Sequence, residues 1–228
     1  MLVPFTPGVC AYRDRSWAWV RARLEQFHPD WQIVVGTCDG PWSKGAALAD
    51  AAARADGDLI VMHDADLYVE VEQLERAVAA VAAGAPWAVP HMKVYRLAEK
   101  SSQKILDREP RPIDVPRTRR EVTRYHYTGV AGGGIAVLPR ATWDRVPVDP
   151  RFVGWGGEDE AWGIALDALA GRHTRGRGHL IHLYHPQQET HRDLGAVLPE
   201  TDRLATRYKA AKGDPVAVAA ILEEVLIP

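Results

Sequence analysis

Cysteine is nearly absent from this chain. Cys10 and Cys38 are the only two in 228 residues, which excludes a disulfide framework and makes a reducing cytoplasm the expected compartment. Long apolar runs are missing too. The most apolar stretch, Ala77 to Val89, is broken by Gly84 and Pro86 and is too short to span a bilayer. The N-terminus has neither the basic start nor the apolar run of a signal peptide. A soluble protein with no membrane partner is expected. Neither sign of charge prevails: 28 basic and 30 acidic side chains give a net charge of -2, so no chain-wide attraction to nucleic acid or membrane is implied. There is no internal repeat, and no His-Glu-x-x-His, which argues against a zinc hydrolase. What is present, 46% hydrophobic and 25% charged residues, is enough to bury the core of one domain spanning 1–228.

Apolar runs and helical periodicities alternate along the first hundred residues. Leu2–Phe5, Trp31–Gly36 and Asp58–Met62 read as strands, and Asp14–Phe27, Ser43–Ala55 and Glu70–Ala83 as helices. Trp87–Tyr95 is a further strand. This alternation predicts right-handed βαβ units in a parallel sheet covered by helices on both faces. The pattern lapses over 93–124, where ten basic residues face five acidic ones, a local charge of +5, and where a long mobile connection is expected. It resumes with a strand at Ile135–Leu138, a short helix from Pro139, a helix opened by Glu158, Asp159 and Glu160, and a last strand at His179–Tyr184. Over 188–228 two C-terminal helices follow, the second capped by Asp214 with Pro215 at its first position.

Chemistry is suggested at three places. Asp64 and Asp66 directly follow the apolar run Leu59–Met62, at the end of a strand where open α/β sheets bind ligands; two carboxylates there can hold a hard divalent cation. Gly132-Gly133-Gly134 precedes a strand, and suits either a close approach of backbone to a ligand or a tight turn. Trp155-Gly156-Gly157-Glu158-Asp159-Glu160 joins an indole, bare backbone and three acids. Acids in a first helical turn suit the helix dipole, but three beside a Trp also suit a sugar. His182 and His185 lie at the end of the last strand, where an imidazole can complete a metal site begun by Asp66.

In that order and spacing these motifs resemble the GT-A fold glycosyltransferases. The nearest groups are the β-1,4-galactosyltransferases and the polypeptide N-acetylgalactosaminyltransferases, with their bacterial and phage relatives. The resemblance runs from Val3 to about His185. It implies a Rossmann-like α/β fold with a mixed, mostly parallel sheet, a nucleotide-diphosphate sugar donor (usually a UDP-sugar), and Mn2+ or Mg2+. Carried onto this sequence, Asp66 ligates the metal with His182, or with His185 as the competing choice, and Asp64 sits near the ribose and the metal. Pro4, Phe5, Thr6, Arg15, Asp39 and Lys44 line the nucleotide pocket, with Gly133 and Gly134 on the sugar side. Trp155, Gly157 and Glu158 meet the acceptor, and Asp159 acts as general base in an inverting transfer. Thr6 departs from the Arg or Tyr that relatives often carry.

The segment 93–124 falls on the acceptor side in such enzymes. Its cations, with Arg117, Arg119 and Arg120 foremost, suggest a polyanionic acceptor, for which DNA with hydroxymethylated bases is the specific candidate; a protein or glycan acceptor is the alternative. Arg172, Arg175 and Arg177 form a second basic cluster. Two further readings compete. A sugar nucleotidyltransferase would want a Gly-rich, basic loop after the first strand, and Thr6-Pro7-Gly8 is a poor one. A degenerate transferase fold could serve as a nucleic-acid-binding module, but every candidate catalytic residue is retained.

Overall fold

A computed structural model describes residues 1–112, 127–186 and 198–226. Eight strands form one sheet: β1 (Leu2–Pro4), β2 (Val34–Gly36), β3 (Leu59–His63), β4 (Leu67–Tyr68), β5 (Ala88–Arg96), β6 (Tyr127–Thr128), β7 (Ile135–Pro139) and β8 (Thr174–His182). Their order is β2-β1-β3-β7-β5-β8-β4, with β6 beside β5. The first βαβαβ segment pairs in parallel, as expected. β7 then enters antiparallel between β3 and β5, β8 runs parallel to β5, and β4 and β6 run antiparallel to their neighbours. Five of the eight strands thus share one direction, in a mixed sheet with three parallel and four antiparallel pairings.

Side chains alternate across this sheet because successive strand residues point to opposite faces. Leu2, Ile60, Met62, Ala136 and Leu138 bury one face, while Val3, Val61, Ile135 and Val137 bury the other. Over the first face pack α2 (Lys44–Arg54), α5 (Arg140–Arg145), α6 (Glu158–Leu169), α7 (Pro199–Ala210) and α8 (Pro215–Leu226). Over the second pack α1 (Ala11–Phe27), α3 (Val71–Ala82) and α4 (Glu99–Leu106). The Asp214 carboxylate caps α8 by accepting from the N–H groups of Val216 and Ala217. Among the described residues no helix is long and apolar enough to cross a membrane.

The expectation for 93–124 needs correction. β5 runs on to Arg96, and Glu99–Leu106 is helical, with Ile105 and Ser102 buried. The scattered charges hid a helix that docks through one apolar edge. The rest of that stretch, including Arg117, Arg119 and Arg120, lies outside the described residues. So does 187–197, where the first C-terminal helix was expected to begin. β8 starts at Thr174, upstream of the expected His179, because β5 pairs with it in parallel from Ala88 to Arg96, with register shifts on either side of His91.

One contact fixes α2. Ser43 caps the helix by accepting from the Ala46 N–H, and its hydroxyl donates to the Pro150 carbonyl at 2.8 Å. A Cβ on Gly45 would come within 2.8 Å of the Asp149 carbonyl and of Pro150 Cα. Alanine normally stabilises a helix over glycine by about 0.5–1 kcal/mol. Here Gly45→Ala is expected instead to destabilise, by about 1–3 kcal/mol, because the obstacle is backbone. Urea denaturation checks the sign.

Candidate active site

The ends of β1, β3 and β8 and the turn into β7 open on a cleft of about 250 Å³. Its main charge bridge begins at Lys44, the first residue of α2. With the helix start seated on 149–150, the Lys44 ammonium lies 2.8 Å from Asp64 Oδ1 and 2.7 Å from Asp159 Oδ1. Burial works to discharge this lysine, but Asp159, Asp64 and Glu158 together outweigh it and hold its pKa above the ordinary value. For Asp159 the balance differs. Some 31% of its side chain faces the cleft, yet burial of the remainder pushes its pKa up to about 7, with Lys44 pulling against the rise.

Glycines bring Asp159 to this place. Gly157 has φ of 90° and opens α6. A Cβ on Gly132 would lie 2.5 Å from the Asp159 carbonyl oxygen, and one on Gly133 would lie 3.0 Å from Asp159 Oδ2. The Gly132–Gly134 turn is therefore the seat of the first turn of α6. The three acids of that turn diverge: Asp159 meets Lys44, Glu158 lines the cleft and accepts from the Gly156 N–H, and Glu160 turns to Lys209 at 3.1 Å.

A second cluster depends on the two-residue strand β4. Leu67 registers with His182, and the Leu183 N–H donates to the Asp66 carbonyl at 2.9 Å. Ligand atoms of Asp66, His182 and His185 then all lie within 4.8 Å of one another. His182 Nδ1 lies 2.8 Å from the Leu183 carbonyl and His185 Nδ1 2.9 Å from the Pro186 carbonyl. Each carbonyl places the ring proton on Nδ1 and leaves Nε2 as the acceptor atom, which at His182 takes a hydrogen bond from Arg96 that a metal would displace. Desolvation lowers the His182 pKa to about 4, so its ring is neutral, as a metal ligand must be. Burial opposes the charge on Asp66, but His182, Arg13 and His185 outweigh it and keep the carboxyl below the ordinary value. Two nitrogens and a carboxylate oxygen form a donor set that can hold Mn2+ or a similar divalent ion. Two guanidinium groups stand beside the trio: Arg13 Nε lies 3.1 Å from Asp66 Oδ2, and Arg96 Nη1 3.1 Å from His182 Nε2.

Pro4, Lys44, Asp64, Asp66, Gly133, Gly134, Trp155, Glu158, Asp159 and His182 all line the cleft. Asp64 stands outside the metal-type trio and pairs with Lys44. Five expected residues lie elsewhere. Phe5 is buried against Trp17, Thr6 and exposed Asp39 do not line the cleft, and Gly157 faces Ala205 and Phe152. Arg15 is exposed and pairs with Asp107, whereas Arg13 enters the cleft and also lies 5.6 Å over the Trp155 ring. Residues two apart on a helix point in nearly opposite directions, so one of the two arginines had to face away. Trp42, His91 and Arg96 also line the cleft; none carries a motif that marks it in the sequence.

Residues 11–144 match the family model described as glycosyl transferase family 2. No curated protein sequence matches the chain. Among solved structures, the catalytic domain of Drosophila β1,4-galactosyltransferase 7 bound to xylobiose is 18% identical, with a TM-score of 0.50 over 81% of this chain and 69% of that one. Glucosyl-3-phosphoglycerate synthase from Mycobacterium tuberculosis, bound to Mn2+, UDP-glucose and phosphoglyceric acid, is 13% identical, with a TM-score of 0.51 over 93% and 78%. GalNAc-T7 with UDP, GalNAc and Mn2+ is 15% identical, with a TM-score of 0.52 over 82% of this chain and 44% of that one. At these identities the likeness is one of fold, and the fold is GT-A.

Asp66→Ala is expected to remain folded by circular dichroism and to lose manganese binding measured by calorimetry. His182→Ala and His185→Ala are each expected to weaken binding roughly tenfold or more, with the larger effect at His182. Near-normal binding by the Asp66 variant would remove the trio as a metal site.

Proposed function

The chain belongs to glycosyl transferase family 2, and on that premise we propose that it moves a hexose from a UDP-sugar to an acceptor hydroxyl with inversion at the anomeric carbon. The observation that carries this reading is the Lys44 bridge, which holds the carboxylate Asp159 in the same cleft as Asp66 and His182 of the metal-type trio. A divalent cation on that trio would supply positive charge to the leaving diphosphate; the synthase and GalNAc-T7 structures named above, which hold Mn2+ with UDP-glucose or UDP, support this choice.

The protein's own groups account for the remaining steps. Arg13 and Arg96 bring guanidinium charge to the diphosphate end of the cleft, where the bond to the anomeric carbon breaks and its electron pair stays with the diphosphate. Asp159 takes the acceptor hydroxyl proton as the new bond forms, and Glu158 orients the acceptor. Lys44 favours the ionised form of Asp159 and also positions Asp64 for the ribose.

For the acceptor, a groove of about 570 Å³ adjoins the cleft and shares Gly129 and Val130 with it. Arg172, Arg175 and Lys212 line the groove, while its acids Glu160 and Asp167 are engaged by Lys209 and His173. This supports an acceptor with negative charge near its hydroxyl, and DNA with hydroxymethylated bases is the instance to test first.

Two measurements follow. A base must be deprotonated to act, and Asp159 is protonated below about 7. The wild-type kcat/KM is therefore expected to fall about tenfold per unit as pH drops below that value. Asp159→Asn should reduce turnover roughly 10²–10⁴-fold with donor affinity held. Unchanged turnover would move the base to another residue. Separately, transfer to hydroxymethylated DNA is expected to fall steeply between low and high salt. Transfer confined to neutral saccharides or peptides and indifferent to salt would overturn the anionic acceptor.

A further inference from the structure

His91 lies on β5, is 1% exposed, and neither of its ring nitrogens has a hydrogen-bond partner among the described residues. It also lines the cleft. The backbone groups beside the ring are already engaged. The Gly129 N–H donates to the Met92 carbonyl, the Gly129 carbonyl accepts from Arg175 Nη2 at 2.8 Å, and the Gly134 carbonyl accepts from the Asp64 N–H at 2.9 Å. A Cβ on Gly129 would lie 3.2 Å from His91 Nε2 and one on Gly134 3.7 Å from His91 Cε1, so the ring sits between two bare stretches of backbone. Around those glycines the other close side chains are Val94, Leu67 and Leu180, all apolar. Leaving a buried polar group unpaired is destabilising, and nothing within the described residues offsets it.

The chemistry of the ring narrows what can. Burial, and then Arg175, lower its pKa to about 3, so it offers one N–H donor and one lone pair. A phosphate needs donors alone and fits the end of the cleft held by Arg13 and Arg96. A hydroxyl both donates and accepts, and fits a neutral imidazole. Building on the donor-site reading above, we propose that His91 determines sugar specificity: its ring hydrogen-bonds a hydroxyl of the hexose carried by the donor, reached through a small shift of the side-chain-free backbone at Gly129 and Gly134.

The test compares wild type, His91→Leu and His91→Gln as full chains with manganese, titrated with UDP, UDP-glucose and UDP-galactose, and melted without ligand. His91→Leu removes the unpartnered group and keeps bulk, so its Tm should equal or exceed that of wild type. Its affinity for UDP should be unchanged, its affinity for the preferred UDP-sugar should drop about tenfold, and the preference between the two epimers should shrink. His91→Gln keeps a donor and an acceptor and should recover part of the loss. Wild-type affinity for both UDP-sugars in His91→Leu would overturn the assignment, as would equal losses for UDP and UDP-sugar, or a large fall in Tm in both variants. Failure of the wild type itself to bind UDP with manganese would instead reject the donor-site reading, and this inference with it.

Discussion

One ammonium group holds the cleft together. Lys44 comes from the start of a helix, Asp64 from the end of a central strand, and Asp159 from a helix 115 residues further along the chain, and the ammonium lies within 2.8 Å of both carboxylates. Two carboxylates this close would repel each other and resist ionisation together without the cation between them. Breaking a buried pair of this kind costs about 3–5 kcal/mol, because the remaining charges stay where they are. The surrounding structure serves this contact: the Ser43 cap and Gly45 seat α2, and Gly132 and Gly133 let α6 come close enough to deliver its carboxylate.

The same logic governs the other end of the cleft. Asp66 and His182 face guanidinium groups from α1 and β5, so the acceptor atoms that suit a divalent ion are already surrounded by positive charge. On the proposed reading this positive charge would meet the diphosphate, and the apolar wall of Leu67, Val94 and Leu180 would be left for the sugar. Charge would then orient the donor before any specific contact with the hexose is made.

Much of this was legible in the sequence, for identifiable reasons. β1, β3 and β7 are continuous apolar runs, as strands buried on both faces must be, and Asp64, Asp66 and the Trp155–Glu160 segment follow such runs or open a helix. What escaped notice was short or depended on facing. β4 and β6 have two residues each and show no period. Yet β4 is the strand that brings Asp66 to His182 and His185, so the sequence left the choice between the two histidines open where the structure presents both. Arg13 and Arg15 are equivalent until the face of α1 that meets the cleft is known. His91 sits in a strand whose character is set by Ala88, Val89 and Val94, and a single imidazole there carries no motif. The helix Glu99–Leu106 was masked by the charge around it.

The strand order has a consequence for the order in which the molecule comes into being. β7 and β8 are late in the chain but pair in the interior of the sheet, against β3 and β5. A chain emerging N-terminus first carries those two strands with open edges, a state prone to pairing with other chains, until residues beyond 135 arrive. The loops closed by these pairings are long, and such closure is slow. Asp159 and His182 arrive with the same late segments, so the cleft cannot form as a local unit that waits for the rest of the fold. It comes into existence only when the sheet is completed.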